Sequence, residues 1–135
     1  MSLEEFIQRI LRLSKREFSR LRLMDFKADT ISTDCMGLIY LLMHHQKVVP
    51  PEISESSKVK DLFSVALKSE HSQLISRIQK HDLLLWKKDN PPRSGDTGHV
   101  LVVMQAPLEI STNQYRVKIL EVYAEALKNR LSEFL

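Results

Sequence analysis

The chain has 135 residues, enough for one domain with one core, and its 43% apolar and 27% charged content is that of an ordinary globular protein. A single cysteine excludes an internal disulfide framework and any zinc site built on several thiolates, and no apolar run approaches the ~18 residues that a membrane span needs. With 20 basic and 17 acidic residues the net charge is +3, far short of the concentrated positive field that nucleic-acid binding requires.

Taken in chain order, residues 2–23 read as a helix. Leu3, Phe6, Ile7, Ile10, Leu11, Phe18 and Leu21 recur at helical spacing, Ser2 and Glu5 form a capping box, and Arg9, Arg12, Lys15, Arg16, Arg20 and Arg22 cover much of the remaining surface. That basic face is either a solvated surface or a docking surface. The same N-terminus lacks a basic start followed by an uninterrupted apolar stretch, so the chain as written is expected to stay in the cytosol. A protein exported without a cleaved signal would read the same way. Residues 24–32 read as a loop. A second helix starts at Thr33 or Asp34, both good N-cap types, and runs to about His45, and Pro50-Pro51 stops whatever precedes it. Residues 54–57 make a turn, and 58–79 read as helical, in two pieces broken near Ser69–Ser72.

The pattern then changes to strands. Residues 81–88 and 99–105 are apolar runs separated by the turn-rich segment 89–98, residues 106–114 form a connection, and 115–122 alternate as a strand. The tail AEALKNRLSEFL has helical composition. Helices followed by strands without crossover helices predict a single α+β domain over 1–135, with N-terminal helices packed on an antiparallel sheet.

Cys35 falls in the first turn of the second helix. There the backbone N–H groups and the helix dipole favour a thiolate, which is the nucleophilic form, and can stabilise an oxyanion. A buried structural cysteine is the competing reading. Asp34 beside it is expected to cap the helix, and Gly37 admits close approach of other backbone or of substrate. A cysteine nucleophile needs a base. His44 and His45 end the same helix and cannot reach it, His71 lies in a polar segment, and His81 with Asp82 lacks the further ligands of a metal site. His99, at the start of an apolar strand beside a loop, is the candidate. If 99–105 and 115–121 pair so that Gln105 meets Tyr115, Val103 meets Val117 and Leu101 meets Ile119, then Glu121 meets His99 and can orient its imidazole; the competing reading of Glu121 is a solvated strand-end carboxylate. Asp82 is expected to start or turn the strand, Trp86 to be core or a cleft wall, and Arg93 and Asp96 to be loop charges.

Three motifs, in order, resemble those of the NlpC-type cell-wall peptidases, which are papain-related cysteine hydrolases. Asp34-Cys35-Met36-Gly37-Leu38-Ile39 is similar to their Asp-Cys-Ser-Gly-Leu-Val, His81-Asp82-Leu83-Leu84-Leu85-Trp86 to their Gly-Asp-Leu-aliphatic strand, and Gly98-His99-Val100-Leu101-Val102-Val103 to their Gly/Ser-His-Val-Gly-Ile-Val strand. The resemblance covers residues 34–103. It implies a papain-like α+β fold, Cys35 as nucleophile, His99 as base and a third polar residue after His99, for which Glu121 is the candidate. It also implies that Asp82 is structural, that the substrate is an amide bond in peptidoglycan stem peptides or in a protein, and that no metal or organic cofactor is needed. The chain departs from the family in carrying Met36 where the family has Ser, and in lacking an aromatic-Gly-Gly stretch before the cysteine. The alternative is a non-catalytic interaction module that keeps the scaffold and docks through the basic helix 2–23. No nucleic-acid or integral-membrane partner is expected, and the sequence gives no oligomeric state.

Overall fold

The structure, a computed structural model of the chain, describes residues 1–68, 77–90 and 97–122, together with the backbone of 127–134. Among these, three helices and eight strands follow one another as α1 (Leu3–Leu11), β1 (Lys15–Phe18), β2 (Leu23–Asp25), β3 (Thr30–Thr33), α2 (Cys35–Gln46), α3 (Val59–Lys68), β4 (Leu83–Lys87), β5 (Gly98–Val103), β6 (Leu108–Ser111), β7 (Gln114–Val122) and β8 (Leu127–Phe134). The class is α+β, as the order of helices and strands predicts. The N-cap also falls where expected, with the Ser2 hydroxyl accepting from the Glu5 N–H at 3.1 Å.

The long N-terminal helix is corrected. α1 covers only the first part of 2–23 and buries Phe6, Ile7 and Ile10. Its last turn tightens, with the Arg12 N–H shared between the carbonyls of Gln8 and Arg9. The chain is then captured by the segment ahead of β3: the Lys15 N–H and the Ser14 hydroxyl both donate to the Asp29 carbonyl. β1 pairs parallel with β3, and β2 pairs antiparallel on β3's other side, so two short strands, each running one residue past its bounds, take up much of the expected loop 24–32. The continuous basic face disappears with the helix. The Arg9 guanidinium lies 3.9 Å from the centre of the Phe26 ring, and Arg20 and Arg22 turn to Asp34.

α2 is buried on most sides, through Met36, Gly37, Leu38, Ile39 and Leu42, and ends before the prolines at Lys47, which takes the left-handed conformation (φ 59°). The polar turn at 54–57 closes through the Ser57 hydroxyl, which accepts from the Ser54 N–H at 2.8 Å. α3 accounts for the first part of the expected helical stretch 58–79; the break near Ser69–Ser72 and His71 lie outside the described residues, as do Arg93 and Asp96.

The larger sheet is antiparallel in every recorded pair, with β4 on β5, β5 on β7, and β6 and β8 also on β7. Two expectations change here. The segment 106–114 is not a simple connection. β8 pairs with β7 along Tyr115–Val122 and occupies one of its edges, so β5 (at Ile119 and Leu120) and β6 (at Tyr115 and Arg116) follow each other along the opposite edge. The hairpin therefore turns at Thr112–Asn113, with Asn113 at φ 60° as a tight turn requires. The tail is a strand, not a helix. Its residues are good helix formers, but antiparallel pairing with β7 overrides that weak preference.

The sheet separates two apolar clusters. Even-numbered Val100, Val102, Leu120 and Val122 face the helices and pack with Ile7, Ile10, Met36, Leu38, Ile39 and Leu42. Odd-numbered Leu101, Val103, Val117 and Ile119 gather with Ile78 on the other face. This is the two-period alternation of a strand buried on both sides.

Candidate functional site

The Cys35 end of α2 is built around Asp34. Its Oδ1 accepts from the Gly37 N–H at 2.8 Å, the expected cap. Arg22, which the sequence shows only as one member of a basic face, completes the arrangement. Arg22 donates from Nε to Asp34 Oδ1 (2.8 Å) and from Nη2 to Oδ2 (3.1 Å), while Nη1 donates to the carbonyls of Glu55 (2.6 Å) and Ser57 (2.8 Å). Two parallel bonds to one carboxylate are the strong form of this pairing. Cys35 is half-buried and packs against the helix-side cluster.

The other half of the site is on the sheet. His99 Nε2 and Glu121 Oε2 lie 2.8 Å apart, and Glu121 is only 2% exposed. The expected partnership therefore forms, but the register differs from the expected one by two residues. Val103 meets Ile119 and Val102 meets Leu120, so Glu121 reaches His99 as a diagonal neighbour. An even shift keeps every side chain on its face, which is why the pair survives it. An ionised carboxylate accepts only, so with Glu121 in that form the bond would select the Nε2–H tautomer, whose ring lone pair lies on Nδ1. Trp86, directly opposite His99 across β4 and β5, tilts its ring to within 5.3 Å of the imidazole and is 46% exposed, forming a wall of the site rather than core.

The arrangement joins His99 to Glu121 and leaves Cys35 in the other layer. Along β5, His99 alternates with Val100 and Val102, which face the helices, and shares its face with Leu101 and Val103 of the second cluster. A relay of hydrogen bonds links the two layers. Arg22 ties Asp34 to Ser57, and three residues further on the Lys60 N–H bonds the Thr97 hydroxyl at 3.1 Å, two residues before His99.

Asp82, His81 and His45 have partners of their own. Asp82 accepts from the Gln79 N–H (2.8 Å) and turns the chain into β4. His81, in the left-handed conformation at φ 73°, places Nε2 3.0 Å from Glu4 Oε2. His45 stacks on Phe6 with ring centres 4.1 Å apart. Among the described residues, no group of three or more His, Cys, Asp or Glu could hold a metal ion, and no helix is long and apolar enough to cross a membrane. No protein-family model matches the chain, and no curated protein or solved structure matches it significantly.

Proposed function

We propose that the chain is a papain-like cysteine hydrolase of NlpC type acting on an amide bond of a peptide-like substrate, whether a peptidoglycan stem peptide or a protein. The observation that carries this reading is the hydrogen bond between His99 and the buried carboxylate of Glu121, at 2.8 Å. A carboxylate held on one nitrogen fixes the tautomer and orientation of an imidazole whose other nitrogen then serves as base. Cys35 as the first residue of α2 supports it, because a helix N-terminus favours thiolate and offers N–H groups to an oxyanion. In this mechanism Cys35 Sγ loses its proton to His99 Nδ1 and adds to the substrate carbonyl. The tetrahedral intermediate collapses as His99 returns the proton to the leaving amine, and a thioester remains on Cys35. Water, deprotonated by His99, then adds to the thioester and releases the acid and the thiol. This mechanism requires Cys35 Sγ to come within hydrogen-bond reach of His99 Nδ1 while Glu121 holds Nε2.

A second reading has its own observation. The alternation along β5 assigns His99 and Cys35 to different faces, which favours a non-catalytic module that keeps the scaffold. One experiment separates the two. Iodoacetamide alkylation of Cys35 at pH 6 is compared between the native protein and His99→Asn, a variant that can still donate to Glu121 but cannot act as base. Coupled groups give a rate at least about tenfold lower in the variant. Equal rates favour the module.

A further inference from the structure

A carboxylate cap directly before a nucleophilic cysteine carries an electrostatic penalty. Asp34 stabilises the helix but sets a negative charge next to the position where a thiolate must form, and like charges disfavour each other. We propose that Arg22 is a positioning residue that cancels this charge, so that one carboxylate caps α2 without suppressing the Cys35 thiolate. The proposal rests on the reading of Cys35 as nucleophile.

Three observations carry it. The Arg22 guanidinium engages both Asp34 oxygens and two carbonyls, with its side chain 16% exposed and that of Asp34 7% exposed, so the pair is poorly screened by solvent. Arg22 adopts a left-handed backbone (φ 55°), a conformation that favours Gly or Asn, so the local chain gives no reason for an arginine there. Gly37 has no side chain where Arg22 crosses the helix. A Cβ at that position would overlap Thr33 Oγ1 and lie 2.6 Å from Arg22 Cγ and 2.9 Å from Cδ. The Cys-Met-Gly spacing thus makes room for an arginine of this chain. Arg20, 3.8 Å from Asp34 and half-exposed, adds a weaker positive charge to the same carboxylate.

The test is the pH dependence of Cys35 alkylation by iodoacetamide, with cooperative urea unfolding as the control for folding. Arg22→Gln leaves Asp34 uncompensated and should move the midpoint up by about one unit, a roughly tenfold slower reaction below it. Adding Asp34→Asn, which keeps a capping side chain, should return the midpoint to the native value, a rescue that a purely structural role would not produce. Asp34→Asn alone, with Arg22 in place, should move the midpoint down and carries the measurement should Arg22→Gln fail to fold. An unmoved midpoint in folded Arg22→Gln, an unmoved midpoint in Asp34→Asn, or failure of the double variant to recover overturns the proposal. The hydrolase reading fails separately, on equal rates for native and His99→Asn protein, and that result does not alter how Arg22 acts on the Cys35 midpoint.

Discussion

Replacing Gly37 by alanine reverses a familiar rule. In an open helix the change gains about 1 kcal/mol, because alanine loses less conformational freedom. Here the new methyl would overlap Thr33 Oγ1 and crowd the Arg22 stem. Gly37→Ala should therefore lower the unfolding free energy by about 1–3 kcal/mol in urea titration, the usual range for overpacking. Residue types of this kind were partly legible. Asp34 reads as a cap because its short side chain suits that position, and Glu121 reads as His99's partner because strand alternation survives an even slip in register. Arg22 was not legible. It reaches Asp34 through a left-handed turn and bonds carbonyls more than thirty residues away, and nothing in local sequence encodes that reach.

At the scale of elements, sequence reading succeeded where a segment has one dominant partner and failed where pairing competes with composition. α2, β4, β5 and β7 have a cap or β-branched and apolar runs that agree with their tertiary roles. Phe18 and Leu21 fit the period of the first helix and extend the expected helix past Leu11, but Ser14 and Lys15 bond to Asp29 and draw the chain into a sheet. The tail reads as helix by composition, yet it supplies the second edge of β7. Side-chain burial sorts the elements energetically. Ile10 of α1 is fully buried, whereas Leu108 of β6 is 63% exposed. Ile10→Ala should cost about 2–5 kcal/mol through lost burial and a residual cavity. Leu108→Ala should stay within about 0.5 kcal/mol. Denaturant midpoints at constant slope compare the two directly.

For the molecule as a whole, α1 is linked to the approach to β4 by a polar tie. The Glu4 carboxyl is held below its ordinary value of 4.5, chiefly by the hydrogen bond to His81, with Lys80 and Gln8 assisting and burial opposing. A carboxylate whose value is depressed on folding adds stability above its unfolded value. That contribution is lost as pH falls through the folded value. The expected outcome is a fall in stability as pH drops below about 4.5 that is shallower in Glu4→Gln. Urea midpoints measured between pH 3 and 6 check it, and an identical slope in the variant would exclude the tie.

The turn at Thr112–Asn113 offers a practical opening. All four residues of β6 beside it face solvent. Loop tips of this sort accept foreign sequence at little thermodynamic cost, since lengthening a closed loop adds only a logarithmic entropy. A short peptide tag or a dye-labelling cassette inserted between these two residues should leave the urea midpoint and Cys35 alkylation at native values, and so provide a handle for following the protein without perturbing its chemistry.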